Sequence, residues 1–231
     1  MSSNIKVISF DADDTLWVNE PFYRETEAEF CKILSEFHSE DFVNQQLLNM
    51  EFRNLELYGY GAKGFVLSLL ETALRITDNK ISQKKIGQII DLGKQLLNKP
   101  IELLDGVIET LQYLSTKDYK LIVATKGDLL DQERKLKNSN LEKYFHHIEV
   151  MTNKKTENYL SLIKHLDIKP QEFLMIGNSL RSDILPVLEI GGQAIHIPFH
   201  TTWVHEEVEE NDLRKFNFTR IESISALANI I

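Results

Sequence analysis

The sequence predicts an α/β fold in which a doubly wound parallel sheet carries an inserted α-helical domain. A short β-branched strand at residues 5–10 precedes four helical segments, and strands and helices alternate after Pro100. Since the first strand lies before the helical block and the other strands after it, the block is an insertion into the sheet domain. We therefore predict a core of residues 1–17 and 100–231 and a helical domain of residues 18–99.

The first strand, IKVISF, is the short apolar run that a buried parallel strand requires. It ends abruptly in DADDT, so these polar side chains follow the carboxyl end of the strand, where α/β sheets bind ligands. The next segments place apolar residues three and four positions apart, as amphipathic helices do. They are FYRETEAEFCKILSEF, DFVNQQLLNMEFRNLELYG, KGFVLSLLETALRI and SQKKIGQIIDLGKQLLN.

The remainder of the chain alternates between the two kinds of element. The predicted strands are YKLIVAT, HIEVM, EFLMIG and QAIHIP. The predicted helices are DGVIETLQYLSTK, LLDQERKLKNS, ENYLSLIKHLD, SDILPVLEI and, at the carboxyl terminus, SISALANII. This alternation is typical of a parallel sheet with crossover helices.

Composition and charge limit the classes of partner. Acidic residues outnumber Lys and Arg by 35 to 26, and no basic run is present, so we expect no nucleic-acid partner. The net charge of -9 would also repel a phosphate ester unless a bound cation reversed the local field. The amino terminus lacks the continuous apolar stretch of a signal peptide, and no run is long enough to span a membrane. We therefore expect a cytoplasmic protein with no membrane partner.

Three aspartates, Asp11, Asp13 and Asp14, crowd the end of the first strand. Their mutual repulsion must be offset by a cation or by hydrogen-bond donors. Alternation along an extended chain places Asp11 and Asp13 on the same side. The alternative is structural: aspartate is common in turns, and Thr15 could be a helix cap.

Two further features follow later strands in an order that suits a phosphate site. Thr125 ends LIVAT, so its hydroxyl and the N–H of Lys126 can both face a phosphoryl oxygen. Lys154 and Lys155 precede a predicted helix, where an ammonium group can neutralise a phosphoryl anion or a carboxylate. A solvated lysine pair is the alternative.

The last feature is the loop IGNSLRSDI, in which a buried strand opens through Gly177 to Asn178, Ser179 and Asp183. Oxygen ligands of this kind suit Mg²⁺, which needs few protein contacts and keeps several waters. Each feature alone is weak evidence, and the four are informative because they occur together and in this order.

With DADDT, VAT, Lys155 and GNSLRSD in this order, the chain resembles the haloacid dehalogenase superfamily over almost its whole length. The resemblance implies a Rossmann-like core and a mobile helical cap inserted between the first and second motifs. It makes Asp11 the nucleophile that takes a phosphoryl group and Asp13 the acid and base. A carboxylate nucleophile splits the displacement into two steps that a neighbouring acid can serve in turn.

The resemblance also implies ligands for substrate and metal. Thr125, the N–H of Lys126 and Lys155 would hold the phosphoryl group, and the Asp11 carboxylate and the Asp13 carbonyl would hold Mg²⁺. We also expect Asp183 to be a metal ligand and Asn178 to contact the substrate or the metal.

This chain departs from the pattern at two positions and leaves a third open. Asn178 replaces the usual first acid of the last motif, so the metal contact is expected to pass to Asp183. Asp14 stands where many members have glycine, and we interpret it as a supporting or capping group. Lys155 is preferred to Lys154 because it stands directly before the helix, although a shift of one residue stays open.

The function predicted is Mg²⁺-dependent hydrolysis of a small phosphorylated metabolite. A 2-haloacid dehalogenase is the first alternative, but it needs neither Mg²⁺ nor an acid at Asp13. A sugar phosphomutase would use the same residues, and a catalytically weak regulatory protein would account for Asn178. No feature of the sequence fixes an oligomeric state.

Overall fold

A computed structural model describes residues 4–209, 213 and 215–231. Its centre is a sheet of six parallel strands in the order β3-β2-β1-β4-β5-β6. The strands are β1 Val7–Phe10, β2 Lys120–Lys126, β3 His147–Met151, β4 Phe173–Gly177, β5 Gln193–His196 and β6 Thr219–Arg220. The prediction of an α/β fold with a doubly wound parallel sheet is confirmed.

The register of the central strands determines which loops meet. Phe10, the last residue of β1, pairs with Val123 of β2 on one side and with Ile176 of β4 on the other. The N–H of Asp11 extends this pairing by donating to the carbonyl oxygen of Ile176, at 2.8 Å. Because all three strands are parallel, the segments that follow them leave the sheet at the same edge.

Eight α-helices are present among the described residues. They are α1 Glu20–Leu34, α2 Glu40–Tyr58, α3 Ala62–Ile76, α4 Gln83–Leu97, α5 Val107–Ser115, α6 Leu129–Asn138, α7 Thr156–His165 and α8 Leu185–Glu189. Short 3₁₀ turns cover Glu142–Tyr144, Pro170–Glu172, Val204–Glu206 and Ile224–Asn229. The segment SISALANII is therefore a 3₁₀ turn and not the α-helix that was predicted. The segment before α8 is a π-helical turn, Leu180–Ile184.

The chain divides into two compact units. The core unit contains the residues up to Glu20 together with Ile101–Lys126 and Gln132–Ile231. The helical unit contains Pro21–Pro100 and Gly127–Asp131. The predicted boundaries at residues 17/18 and 99/100 stay a prediction, and the two units differ from it most at residues 127–131, which were expected in the core.

Each unit has its own hydrophobic core. In the core unit, buried side chains of the sheet pack with buried residues of α5 such as Leu111. The sheet residues include Ile8, Phe10, Val123 and Ile176. In the helical unit the buried residues lie on all four helices and include Phe30, Leu34, Leu47, Leu69 and Ile89. Among the described residues, no helix combines the length and apolarity needed to cross a membrane.

Candidate active site

Asp11 lies at the carboxyl end of β1 and is almost fully buried, at 7% exposure. Its Oδ1 accepts a hydrogen bond from Lys154 Nζ at 2.5 Å, and its Oδ2 accepts one from the hydroxyl of Thr15 at 3.1 Å. Burial raises the pKa of Asp11 and the charge of Asp183 raises it further, against the opposing effect of Lys154. The carboxylate is thus under-compensated, which is the condition that a bound cation would relieve.

Lys154 joins the two buried carboxylates of the site. Its Nζ lies 2.6 Å from Asp183 Oδ1 in addition to its contact with Asp11, and its side chain is 1% exposed. Burial alone would lower the pKa of Lys154, but the two carboxylates hold the pKa above its ordinary value. The lysine therefore stays charged and holds the ends of β1 and β4 together.

The structure brings Lys154, and not Lys155, into this cluster, which corrects the preference for Lys155. Lys155 is exposed and occupies the N-cap position of α7, where its backbone N–H donates to Asn158 Oδ1 at 3.1 Å. The residue directly before the cap is the one whose side chain turns inward. We expected Lys155 to have a catalytic and substrate-binding role, but its exposed side chain does not reach Asp11 or Asp183 in this structure.

Asp183 is fixed by the loop that follows β4. Its Oδ2 accepts a hydrogen bond from the N–H of Ser179 at 3.0 Å. A Cβ atom built on Gly177 would lie 2.2 Å from Asp183 Oδ2, so only glycine leaves room for the carboxylate. The Ser179 hydroxyl accepts from the N–H of Ser182 at 3.0 Å and so caps the π-helical turn that carries Asp183.

Asn178 contacts Thr15, which also contacts Asp11, one of the predicted metal ligands. Its N–H donates to Thr15 Oγ1 at 3.1 Å, and its Oδ1 lies 3.3 Å from the same hydroxyl. Its backbone carbonyl lies 2.9 Å from His196 Nε2, which makes His196 the donor. Thr15 therefore links Asp11 to Asn178, and its hydroxyl bonds within the site rather than capping a helix.

Asp13 is held by three donors that the sequence interpretation missed. Trp17 Nε1 and Lys135 Nζ lie 2.8 Å and 3.0 Å from its Oδ1, and Gln132 Nε2 lies 2.8 Å from its Oδ2. Burial would raise the pKa of Asp13, but the charge of Lys135 and these hydrogen bonds keep the pKa below its ordinary value. Gln132 and Lys135 are three positions apart on α6, so they lie on one face of that helix.

Asp14 has the capping role that was expected of it. Its φ of 60° lies in the left-handed region, and its carboxylate accepts the N–H groups of Asn19 and Glu20 at the start of α1 at 2.8–3.1 Å. Burial raises the pKa of Asp14 to about 8. The carboxylate thus fixes the turn by which the chain leaves the site.

Thr125 and Lys126 end β2, next to the segment that follows β1. Thr125 is 1% exposed, and the contact of its hydroxyl is a weak one with the Lys126 carbonyl at 3.3 Å. The Lys126 ammonium group contacts Ser182 Oγ at 2.8 Å and Glu206 Oε1 at 2.5 Å. The backbone N–H of Lys126 was the expected phosphate donor, and its side chain adds a cation that the interpretation had not used.

Glu206 is the carboxylate that the sequence interpretation overlooked. It ends the 3₁₀ turn Val204–Glu206 after β5, and its Oε2 accepts the hydroxyls of Ser179 and of Ser182, the latter at 2.5 Å. Burial would raise the pKa of Glu206, but Lys126 and the hydroxyl donors lower the pKa to about 2. The surrounding HTTWVHEE shows no helical or strand periodicity, so no pattern in the sequence pointed to this residue.

The donors present are compatible with Mg²⁺ although they form no ready-made cluster. Across the described part of the chain, no three carboxylate, imidazole or thiol groups converge as a metal site. What the site offers is the pair Asp11 and Asp183 and the Asn178 amide oxygen. The Asp13 backbone carbonyl stays a predicted ligand. Mg²⁺ keeps several waters and is often bound by one or two carboxylates, so this set fits the ion.

Two known proteins are similar to this chain over most of its length. The chain is 38% identical to a haloacid dehalogenase-like family hydrolase from Xanthomonas campestris, with a TM-score of 0.85 over 98% of this chain and 90% of that one. It is 24% identical to a phosphorylated carbohydrates phosphatase from Thermotoga maritima, over 76% of this chain and 77% of that protein.

The fold is shared with proteins of other activities. A 2-haloacid dehalogenase from Pseudomonas syringae pv. Tomato is 17% identical, with a TM-score of 0.64 over 98% of this chain and 97% of that one. At that identity the likeness concerns the fold alone. The sequence model of the haloacid dehalogenase-like hydrolase family matches residues 5–191 of this chain. The chain therefore belongs to this family of hydrolases.

Proposed function

We propose that the protein is a Mg²⁺-dependent phosphohydrolase that cleaves a small phosphate ester through an aspartyl-phosphate on Asp11. The observation that carries the proposal is the arrangement of the two carboxylates at the end of β1. Asp11 is buried against Lys154, while Asp13, two residues on, is 23% exposed in its side chain and held by its own donors. This difference supports a nucleophilic role for Asp11 and a proton-exchanging role for Asp13.

The proposed reaction has two steps, and Asp13 acts in both. In the first, Asp13 enters in its protonated form; an Asp11 oxygen attacks phosphorus, the bond to the leaving oxygen breaks, and Asp13 gives that oxygen its proton. In the second, Asp13 takes a proton from water, the water oxygen attacks phosphorus, and the bond to Asp11 breaks. The product is inorganic phosphate, and both aspartates return to their starting states.

Other residues of the site support these steps by charge and position. Lys154 offsets the repulsion between Asp11 and an incoming phosphoryl anion, and the buried Thr125 hydroxyl can donate to a phosphoryl oxygen. Asp11, Asp183, the Asp13 carbonyl and Asn178 would hold Mg²⁺. When bound, Mg²⁺ supplies Lewis-acid stabilisation of the charge on the phosphoryl oxygens.

Two findings favour phosphoryl transfer over dehalogenation. The Thermotoga maritima relative is a phosphatase of phosphorylated carbohydrates. Dehalogenation by an aspartate needs no proton donor for the halide, so it would leave no task for Asp13 and its three donors. We therefore place the substrate among small phosphorylated metabolites.

The test is a direct comparison of two reactions on one preparation. Inorganic phosphate from p-nitrophenyl phosphate and chloride from 2-chloropropionate are measured with Mg²⁺ and with a chelator. The proposal predicts phosphate release only with Mg²⁺ and no chloride release. Chloride release that is independent of Mg²⁺, with no phosphate release, would identify a dehalogenase. Isomerisation of a hexose phosphate without phosphate release would identify a mutase.

A further inference from the structure

The carboxylate of Glu206 is bound by a group of hydrogen-bond donors at the site. Its Oε1 binds Lys126 Nζ and its Oε2 binds the hydroxyls of Ser179 and Ser182. The Lys126 and Glu206 side chains are only 15% and 12% exposed. We call these four residues the Glu206 cluster. A lysine and two hydroxyls are the donors that a protein commonly offers to an anionic ligand, and here they already hold one.

The Glu206 cluster adjoins the residues that would bind the phosphoryl group. Lys126 directly follows Thr125 on β2, and Ser182 directly precedes Asp183 on the π-helical turn. Lys126 Nζ also donates to Ser182 Oγ at 2.8 Å, so the cluster connects the end of β2 with the loop after β4. The Glu206 cluster is therefore next to the place where the phosphate of a substrate would lie, between Asp11 and Thr125.

The three lysines that contact the carboxylates of the site are all already paired. Lys135 is paired with Asp13, Lys126 with Glu206, and Lys154 with both Asp11 and Asp183. Four carboxylates against three ammonium groups leave one negative charge, and a divalent cation would turn this into one positive charge. That charge is needed by the phosphoryl group itself. Arg181 is a further cation next to Ser182. It is exposed, and its guanidinium donates to the Glu207 carbonyl at 3.0 Å.

We propose that Glu206 is a specificity-determining residue that restricts the substrate to phosphate esters whose other groups are uncharged, such as hydroxyls. The inference rests on the proposed function and names its substrate class. A carboxylate on the substrate would meet Glu206 and find Lys126 already neutralised, and like charges brought together in a partly buried site are strongly disfavoured. A hydroxyl can donate to Glu206 or accept from Lys126 and meets no such penalty.

The experiment uses two phosphate esters that differ at one carbon. Glycerol 3-phosphate ends in a hydroxymethyl group, and 3-phosphoglycerate ends in a carboxylate. For the wild type, Glu206→Gln and Glu207→Gln, kcat and KM are measured for both esters with Mg²⁺. Glu207 is exposed, so its substitution removes the same charge one position away from the cluster. Taking the ratio of kcat/KM for the two esters cancels differences in the active fraction of each preparation.

The wild type is expected to prefer glycerol 3-phosphate. Glu206→Gln should raise the ratio of 3-phosphoglycerate to glycerol 3-phosphate by about tenfold or more, chiefly through KM, since one removed repulsion is of that order. Glu207→Gln should leave the ratio unchanged. A wild type that prefers 3-phosphoglycerate, or equal ratios in the two variants, would overturn the inference.

Binding separates this inference from the proposed function. Kd for each ester is measured by calorimetry with Asp11→Asn and with Asp11→Asn/Glu206→Gln, because substitution of Asp11 prevents turnover. If the wild type hydrolyses neither these esters nor p-nitrophenyl phosphate, the proposed function fails while the ratio of Kd values still decides the role of Glu206. The same shift toward 3-phosphoglycerate would support that role, and no shift, or no binding of either ester, would refute it.

Discussion

Lys154 Nζ lies 2.5 Å from Asp11 Oδ1, and the same ammonium group lies 2.6 Å from Asp183 Oδ1. One buried cation therefore compensates two carboxylates that reach the site from different strands. Removing it would leave two buried negative charges with no counter-charge between them, which costs far more than the loss of an exposed ion pair.

Lys154→Met should therefore lower both activity and stability. We expect kcat for p-nitrophenyl phosphate to fall by about 100-fold or more, as when one electrostatic donor is lost from an active site. Urea unfolding should show a loss of about 3 kcal/mol in the free energy of unfolding, because the partner charges stay buried. Lys155→Met is the matched control and should leave both quantities near those of the wild type. Larger losses of activity and stability in Lys155→Met than in Lys154→Met would refute the placement of Lys154.

Lys135→Met should change the pH dependence of the reaction. Burial and the Lys135 charge act in opposite directions on the pKa of Asp13, and the lysine together with the other donors prevails. Without Lys135 the pKa of Asp13 must rise. The limb of the kcat/KM profile that reports Asp13 should then move to higher pH by about one unit, which corresponds to 1.4 kcal/mol of lost interaction.

The control for this variant lies on the same helix. Lys137 is exposed and is not one of the three donors to Asp13, so Lys137→Met should leave the limb in place. The sign for stability is also fixed. A depressed pKa of Asp13 stabilises the fold above the unfolded pKa, and this contribution is lost as the pH falls through the folded pKa. Identical profiles for the two variants would contradict the role given to Lys135.

Gly177→Ala and Gly87→Ala form a pair of equal substitutions with opposite expected effects. At Gly177 an added methyl would collide with the carboxylate of Asp183, while at Gly87, inside α4, nothing lies within 4 Å. Gly177→Ala should displace Asp183 and lower both activity and affinity for Mg²⁺, measured by calorimetry. Gly87→Ala should raise the free energy of unfolding by up to about 1 kcal/mol through helix propensity. Full activity in Gly177→Ala would refute the tight fit.

The sequence predicted the parallel sheet and the carboxylates of the site because these depend on local patterns. The run VISF has to be a buried strand, and DADDT has to follow its end. The choice between Lys154 and Lys155 depended on where α7 begins, and a shift of one residue reverses which side chain turns inward. Glu206 lies in an irregular segment, and only the packing of that segment onto the π-helical turn brings it to the site.

The same limit applies to Asp13. Its position after β1 was predicted, whereas two of its three donors, Gln132 and Lys135, come from the distant helix α6. Contacts between distant segments depend on tertiary packing, and sequence periodicity carries no information on which side chains meet there.

The most direct test of the account compares Asp11→Asn with Asp118→Asn in Mg²⁺-dependent hydrolysis of p-nitrophenyl phosphate. Asp118 is exposed, so its substitution controls for the loss of one carboxylate from the core unit. We predict that the wild type and Asp118→Asn release phosphate at the same rate when Mg²⁺ is present, and that Asp11→Asn releases none. Undiminished release by Asp11→Asn would contradict the assignment of Asp11 as the nucleophile.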